Sequence, residues 1–323
     1  MTLFQSAPVT YSPAFTLVPT YECFNRCSYC NFRRDIGTSG WLTLEAAARQ
    51  LATLDPHQVS EILILSGEVA PDSPQRDRWV QHLYRLAELA LEYGFLPHTN
   101  AGPLTRSEMA YLKQVNVSMG LMLEQLTPTL LQTVHRHAPT KDPHLRQAQL
   151  EQAGELGIPF TTGLLLGIGE SPDDWRDSLA VIGAAHRRWG HIQEVILQPY
   201  SPGRQPLLPP FNLTQLPQVV ALARSLLPAD ITLQVPANLV TPPEMLRACL
   251  AAGAQDLGGI VPLDHVNPDY PHTAVGILTE QLRQWGWPLR PRLPIYPQYI
   301  PWLAPPLQTR VRMVQERLPL LLR

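Results

Sequence analysis

The chain has 323 residues, a formal net charge of −2 and 45% hydrophobic residues. Charged residues make up only 16% of the sequence, so it lacks the basic surface needed to bind nucleic acid or an anionic membrane. No apolar run approaches the roughly 18 residues of a membrane span, and the first residues do not have the pattern of a signal peptide. Composition therefore predicts a cytoplasmic protein that acts on a small molecule, with neither nucleic acid nor membrane as a partner.

Eight short apolar runs bounded by turn residues predict β-strands, at residues 15–19, 61–65, 95–99, 115–122, 159–166, 194–198, 231–235 and 256–260. Stretches with helical periodicity separate the predicted strands, for example at residues 44–54, 78–93, 145–156, 175–189 and 243–252. Strands that alternate with helices are parallel and are joined by right-handed crossovers. Eight such units favour an α/β fold of the (β/α)8 type, a closed or partly open TIM-like barrel, over a doubly wound sheet.

No repeat, charge run or Gly/Ser linker divides the sequence, so we predict a single domain over residues 1–323. The barrel core is expected over about residues 14–286. The segment 287–323 is rich in proline and aromatic residues and has an amphipathic pattern near residues 307–322. We expect this segment to pack along the barrel and close it.

Three of the four cysteines lie in one loop after the first predicted strand. Cys23, Cys27 and Cys30 form a C-x3-C-x2-C pattern at the end of the barrel where (β/α)8 enzymes place their active sites. Four cysteines are too few for a disulfide scaffold, which favours metal-binding thiolates. A structural zinc site needs four ligands, and Cys249 has no second ligand near it in the sequence. Three thiolates leave one metal position open; a fragment of a zinc or electron-transfer site is the alternative.

This cysteine pattern, with an aromatic residue before its third cysteine, resembles the hallmark of the radical S-adenosylmethionine superfamily. The resemblance implies a [4Fe–4S] cluster held by the three cysteines, with S-adenosylmethionine bound to the open iron. It also places Tyr29 beside the adenine of the cofactor. A ring that packs over the cluster and excludes water is the alternative role for Tyr29.

Residues after the second and fourth predicted strands resemble further cofactor contacts of the superfamily. Ser66, Gly67 and Glu68 are similar to the segment that binds the methionine amino group, and the glycine permits close approach of the backbone. Glu124 is similar to a glutamate that contacts the cofactor and can accept from its ribose hydroxyls or amino group.

Two later positions complete the predicted cofactor site. Arg146 resembles the arginine that pairs with the methionine carboxylate, a role that suits a guanidinium. A solvated helix position is the alternative for Arg146, in which case Arg136 is the candidate. Gly167 lies in a Gly-rich segment similar to one that borders the adenine.

Three longer stretches resemble one family within the superfamily, the G subunit of 7,8-didemethyl-8-hydroxy-5-deazariboflavin (FO) synthase. They cover residues 98–103 (HTNAGP), 118–125 together with 134–139 (VHRHAP), and 261–268 (VPLDHVNP). The resemblance implies an ammonia-releasing lyase that completes the deazaflavin chromophore. A 5′-deoxyadenosyl radical takes a hydrogen atom from the benzylic carbon of a tyrosine–uracil adduct, and ring closure, loss of ammonia and oxidation follow.

Six polar residues are candidates for binding the uracil edge, the ribityl hydroxyls and the phenol: His98, Asn100, Gln198, Asp264, Asn267 and His272. Asp264 and Asn267 lie among prolines, where Asx-turns are the alternative.

The resemblance also implies partners. Relatives that carry out both halves of the synthesis have two cysteine motifs and this chain has one, which implies a separate enzyme that couples tyrosine to the uracil. It further implies an electron donor such as ferredoxin or flavodoxin. A sister radical enzyme, such as that coupling enzyme, a menaquinone-route cyclase or a sulfur-inserting enzyme, is an alternative. A non-catalytic iron–sulfur or zinc protein is another.

Overall fold

The computed structural model describes residues 7–203 and 208–317. The strands of the described chain are β1 (Val9–Leu17), β2 (Glu61–Leu65), β3 (Leu96–Asn100), β4 (Ser118–Gly120), β5 (Phe160–Leu166), β6 (Ile192–Pro199), β7 (Thr232–Gln234), β8 (Asp256–Ile260) and β9 (Leu289–Pro291). Its α-helices are α1 (Leu44–Ala52), α2 (Arg76–Glu92), α3 (Arg106–Leu112), α4 (Pro143–Glu155), α5 (Pro172–Trp189), α6 (Leu216–Leu226), α7 (Pro243–Ala251), α8 (Val275–Gln284) and α9 (Pro305–Arg317).

The first eight strands form a closed barrel. They follow one another around it in chain order, and β1 pairs with both β2 and β8. Every pairing is parallel, and the helices that connect the strands lie outside. The predicted (β/α)8 class is therefore confirmed. All carboxyl ends of the strands meet at one end of such a barrel, which we call the mouth.

Local sequence signals fix where several helices begin and end. Thr105 and Glu108 form a reciprocal capping box at the start of α3, and Ser171 and Asp174 form another at the start of α5. Gly190 ends α5 with a φ of +67°, a conformation that a residue with a Cβ adopts only at a cost. Among the helices of the described chain, none combines the length and the apolar character needed to cross a membrane.

Six of the eight predicted strands have different bounds in the structure, and the largest differences are in β1 and β4. β1 begins at Val9, ahead of the predicted residue 15, and passes through Pro13, whose lack of an N–H had weakened the strand signal. β4 is shorter than predicted, because only Ser118–Gly120 keep strand pairing.

The C-terminal segment is part of the sheet as well as a cover. β9 pairs with residues Val9–Tyr11 of β1, on the edge that β2 uses further along the strand. Apolar residues that follow β9 then pack against Leu96, at the start of β3, and Val117, just before β4, at the end of the barrel opposite the mouth. These residues include Leu293, Ile295, Tyr299, Leu303 and Leu307. The segment thus closes the amino-terminal end, which we call the floor. The predicted terminal helix corresponds to α9, and residues 318–323 lie outside the described chain.

Candidate active site

The three clustered cysteines border one cavity of about 290 Å³ at the mouth. Cys27 is buried, and Cys23 and Cys30 are half-buried. Backbone hydrogen bonds hold the loop, since Cys30 N–H donates to the Cys27 carbonyl at 3.3 Å and Cys23 N–H donates to the Arg34 carbonyl at 3.2 Å. The loop therefore presents all three sulfur atoms to the same space.

The environment of these thiols fits an iron–sulfur cluster. Burial raises the pKa of Cys27 to about 12, and burial together with the Glu68 carboxylate raises the pKa of Cys23. Such thiols need a bound cation to remain as thiolates. In the described residues, no group of three or more His, Cys, Asp or Glu side chains is arranged to hold a single metal ion. A cluster spreads its cysteine ligands over several iron atoms, so the arrangement suits a cluster better than a lone zinc. Cys249 is buried in α7 and does not border this cavity.

The segment after β2 is held tightly against the cysteine loop. Gly67 N–H donates to the Thr20 carbonyl at 2.8 Å, and a Cβ at Gly67 would lie 2.2 Å from the Glu22 carbonyl oxygen. Only glycine fits there. The Ser66 hydroxyl accepts from Trp79 at 3.1 Å and donates to the Gly67 carbonyl, so its only O–H donor already bonds to a protein group. This close packing directs Glu68 into the cavity.

Glu68 is anchored on two sides. Its carboxylate accepts hydrogen bonds from Asn25 at 2.8 Å and from Thr140, and Arg146 lies 3.3 Å from its other oxygen. Gly102, in the segment 98–103, has a φ of +79°, and a Cβ on it would lie 2.3 Å from the Glu68 side chain. The backbone at Gly102 thus forms the wall that limits where Glu68 can point.

A second buried carboxylate, Glu124, pairs with two cations. Lys141 contacts it directly and an Arg146 nitrogen lies 3.7 Å away. Burial alone would raise the pKa of Glu124, but Lys141 and Arg146 outweigh burial and hold its pKa below the ordinary value. Glu124 also has a φ of +66°, the left-handed conformation, in the described chain unique among residues other than glycine. Such strain often occurs at functional sites.

Arg146 links both carboxylates and is only 1% exposed. Besides Glu68 and Glu124, it donates to the Met122 carbonyl at 2.6 Å and to the Thr140 carbonyl at 3.0 Å. It is therefore not the solvated helix residue that was its alternative. Arg136, the other candidate, is exposed and does not line the cavity.

Tyr29 lines the same cavity as the three cysteines, whereas Gly167 does not line it. The Tyr29 hydroxyl lies 2.9 Å from His135 Nε2, and its ring meets those of His135 and Tyr200 edge-on. Gly167 has a φ of +91°, its N–H donates to Glu170 at 2.6 Å, and a Cβ on it would lie 3.0 Å from Phe211. Gly167 therefore borders Phe211 and Glu170 in the turn after β5, and its place beside the adenine stays a prediction.

A second cavity of about 190 Å³ runs down the barrel interior, and all six predicted substrate residues line it. The two cavities share a wall formed by residues from β2, β3, β6 and the loop after β8: Leu63, Leu65, Asn100, Ile196, Gln198, Val266 and Asn267. No hydrogen bond of the Asn100 or Gln198 side chains occurs within the described part of the chain, so both amides are available to a ligand.

The loop after β8 is more self-contained. Asp264 accepts from the backbone N–H groups of Val266 and Asn267, each at 2.9 Å, and from the Asn238 amide at 2.9 Å. The Asx-turn alternative thus describes the geometry of Asp264. His272, by contrast, has a buried Nδ1 with no partner in the described residues.

Several site residues were missed by sequence reasoning. The cavity bordered by the three cysteines is called the cofactor cavity below, and the one inside the barrel is called the barrel cavity. Asn25, Thr140 and Lys141 bind the carboxylates of the cofactor cavity, those of Glu68 and Glu124, and no motif distinguishes these three from ordinary loop residues. In the barrel cavity the missed residues include Glu61, Glu194 and Arg292. The two glutamates carried a signal, since each is a charged residue in an otherwise apolar predicted strand.

Comparison with known proteins agrees with this fold. A family model described as the Radical SAM superfamily matches residues 17–182. The similar solved structures include the FeFe-hydrogenase maturase HydG from Carboxydothermus hydrogenoformans, with a TM-score of 0.74 and 18% identity over 96% of this chain and 82% of that one. Methylornithine synthase has a TM-score of 0.65 and 15% identity over 95% of this chain and 86% of that one. At these identities the likeness shows the fold alone.

Sequence relatives define the family more narrowly. The 7,8-didemethyl-8-hydroxy-5-deazariboflavin synthase of Thermosynechococcus vestitus is 75% identical over 95% of this chain and 98% of that protein. Proteins of the same name from Synechococcus elongatus and Gloeobacter violaceus are 63% and 56% identical, covering 95% and 93% of this chain and 92% and 93% of theirs. The chain thus belongs to the radical S-adenosylmethionine superfamily and, within it, to the family of 7,8-didemethyl-8-hydroxy-5-deazariboflavin synthases. It is an enzyme that uses S-adenosylmethionine and an iron–sulfur cluster.

Proposed function

We propose that the chain catalyses the step that closes the deazaflavin ring. In this reaction 5-amino-5-(4-hydroxybenzyl)-6-(D-ribitylimino)-5,6-dihydrouracil and S-adenosylmethionine give 7,8-didemethyl-8-hydroxy-5-deazariboflavin, 5′-deoxyadenosine, methionine and ammonia. The observation that carries the proposal is the wall shared by the cysteine-lined cavity and the barrel cavity. A cofactor in the first cavity and a substrate in the second would be in direct contact.

The cofactor and the substrate divide the chemistry. The substrate loses ammonia and two hydrogen atoms, and S-adenosylmethionine takes up the corresponding two electrons as it becomes 5′-deoxyadenosine and methionine. Cys23, Cys27 and Cys30 would hold a [4Fe–4S] cluster, which would lend one electron for cleavage of S-adenosylmethionine to a radical able to attack the benzylic C–H bond and would regain one electron when the substrate radical is oxidised.

The protein supplies orientation and a dry site. Glu68 and Glu124 point their carboxylates into the cofactor cavity, where they accept from the amino group and hydroxyls of S-adenosylmethionine. Arg146 also lines this cavity, and three of its five N–H donors bind Thr140, Met122 and Glu68, which leaves two for the methionine carboxylate. Tyr29 packs beside the adenine. This preorganisation keeps the reacting atoms close and excludes competing hydrogen donors.

The partners follow from the same proposal. A separate enzyme supplies the adduct by coupling a tyrosine-derived hydroxybenzyl group to the ribitylamino-uracil, and ferredoxin or flavodoxin in the cytoplasm reduces the cluster. The family relationship favours ring closure over the sister radical reactions and over a non-catalytic metal protein.

The test is a reconstitution under anaerobic conditions. The reduced, cluster-loaded enzyme is incubated with S-adenosylmethionine and the purified tyrosine–uracil adduct, and we expect 5′-deoxyadenosine, ammonia and a fluorescent deazaflavin. A control with free tyrosine and ribitylamino-uracil should give no deazaflavin. Release of 5′-deoxyadenosine without a fluorescent product from the adduct would contradict the proposal.

A further inference from the structure

The wall of the barrel cavity changes character from floor to mouth. Alternate residues of β2, β3 and β6 line this cavity, as expected when alternate side chains of a strand share one face, and Gln193 of β6 lines it as well. Glu61 and Glu194 lie nearest the floor in their strands, the apolar Leu63 and Ile196 follow two residues further on, and Asn100, Gln198 and Leu65 lie nearest the mouth. His98 pairs in register with Leu63 and is connected through Ser118 to the Pro294 carbonyl of the segment that closes the floor. The apolar band belongs to the wall shared with the cofactor cavity, whereas the polar floor lines the barrel cavity alone.

A polar floor is unusual for this fold, because (β/α)8 barrels normally fill their interior with branched apolar side chains. Buried carboxyl groups are costly unless they are paired. Arg292, from the segment after β9, pairs with two of them: it donates to Glu194 at 2.7 Å and to Asp256 at 2.6 and 2.9 Å. The C-terminal segment therefore stabilises the floor from below.

Glu61 is not included in this pairing. It is 7% exposed, and its Oε2 accepts a hydrogen bond from Ser12. Its Oε1 has no hydrogen-bond partner in the described part of the chain, and the side chain faces the cavity. A buried acceptor without a partner points to a ligand that donates.

His98 presents a second acceptor of the same kind. Ser118 donates its hydroxyl hydrogen to the Pro294 carbonyl at 2.6 Å, so it can only accept from His98 Nδ1, at 2.7 Å. The proton of the neutral ring is therefore on Nδ1, and Nε2 carries a lone pair. His98 is 7% exposed, lines the cavity, and its Nε2 has no partner among the described residues.

We propose that the floor of the barrel cavity binds the ribityl chain of the substrate, with Glu61 Oε1 and His98 Nε2 accepting hydrogen bonds from its hydroxyl groups. This rests on the proposed function. The benzylic carbon that reacts joins the two ring systems, so the rings lie against the apolar band beside the cofactor cavity. The ribityl chain is remote from that carbon and offers a row of O–H donors, whereas the phenol offers one. Arg292 acts as a positioning residue.

The test compares two fluorescent ligands on the full-length, cluster-loaded enzyme. One is the product deazaflavin, and the other carries a methyl group in place of its ribityl chain. We expect the product to bind wild type at least tenfold more tightly than the methyl analogue, since each hydrogen bond that is lost costs up to about tenfold in affinity. Glu61→Leu should weaken binding of the product about tenfold and leave the analogue unchanged. Glu61→Gln, which keeps an oxygen acceptor, should retain most of the affinity.

Tyr296→Phe is the matched control. The Tyr296 hydroxyl contacts Glu194 at 3.4 Å without lining the cavity, so its loss should change neither affinity. The subsite is wrong if wild type binds both ligands equally, or if Glu61→Leu weakens both ligands equally or neither. If the enzyme forms the deazaflavin from the adduct while binding both ligands equally, only the subsite fails. If the enzyme neither forms the deazaflavin nor binds either ligand, both the subsite and the proposed function are wrong. The wild-type comparison stands even if Glu61→Leu does not fold.

Discussion

The two cavities are built on opposite principles. In the cofactor cavity the charged groups pair with one another, as Glu68 and Glu124 do with Arg146 and Lys141. In the barrel cavity Glu194 pairs with Arg292, but Glu61 Oε1, His98 Nε2 and the amides near the mouth lack partners in the described chain. The first is held in shape before any ligand binds, and the second keeps hydrogen-bonding capacity for the ligand. Substitutions in the cofactor cavity should therefore damage the protein itself, and those in the barrel cavity mainly its recognition of substrate.

The largest effect is expected at the cysteine loop. Cys27→Ala removes one of the three thiols that border the cofactor cavity, so iron and sulfide should not be retained and cleavage of S-adenosylmethionine should be abolished. Iron and sulfide analysis and a 5′-deoxyadenosine assay measure this. Cys249→Ala is the control, because this buried cysteine in α7 does not border the cavity and its loss should leave the iron content unchanged. Loss of iron from Cys249→Ala would contradict the three-cysteine assignment.

Removal of Arg146 should cost stability as well as activity. Arg146→Met leaves two carboxylates buried with Lys141 as the nearest remaining cation, and breaking such a buried arrangement costs about 3–5 kcal/mol. Urea unfolding measures the free energy of unfolding. Arg136→Met, at an exposed position, should change it by less than about 0.5 kcal/mol. Equal effects of the two substitutions would show that the carboxylates do not depend on Arg146.

The difference between the cavities also explains what the sequence could predict. The barrel class followed from alternating periodicities, and β2 and β8 have the predicted bounds. The cysteine loop and the residues 66–68 were identifiable because they are contiguous in the chain and match a known pattern. Lys141, which pairs with Glu124, had no such pattern, since its role depends on two segments meeting after the barrel has closed.

The ion pairs that stabilise the floor of the barrel could not be predicted. Arg292 reaches Asp256 and Glu194 only because β9 pairs with the first residues of β1. That pairing depends on a three-residue strand without a clear period-two pattern, within a segment rich in proline. Sequence periodicity reports which face of a strand is buried, but it does not report which distant segment covers the end of a barrel.

Gly102 allows a finer test of how the cofactor cavity is shaped. Gly102→Ala places a Cβ 2.3 Å from the Glu68 side chain at a φ of +79°, so Glu68 must move and affinity for S-adenosylmethionine should fall at least about tenfold. Gly190→Ala carries a similar left-handed penalty, at a φ of +67°, with nothing within 4 Å. It should lose about 1 kcal/mol of stability without any change in binding. Calorimetric titration of the loaded enzymes measures the affinities, and equal affinities would show that Glu68 does not depend on this wall.

The smallest effect expected concerns His98 in the barrel cavity. Burial, with a contribution from Arg292, lowers the pKa of His98 to about 3 in the folded protein, whereas a histidine in the unfolded chain has a pKa near 6.5. Well above pH 6.5 His98 is unprotonated in both the folded and the unfolded chain, so it contributes no pH dependence to the free energy of unfolding there. Below pH 6.5 the unfolded chain takes up a proton that the folded chain does not, and stability is lost as the pH falls from 6.5 towards 3.

His98→Gln removes this titration, so between pH 7.5 and 5.5 wild type should lose about 1 kcal/mol more unfolding free energy than the variant, as measured by urea unfolding. If wild type and His98→Gln lose the same free energy of unfolding between pH 7.5 and 5.5, His98 is not held neutral. Its Nε2 would then have no lone pair with which to accept a hydrogen bond from a ligand in the barrel cavity.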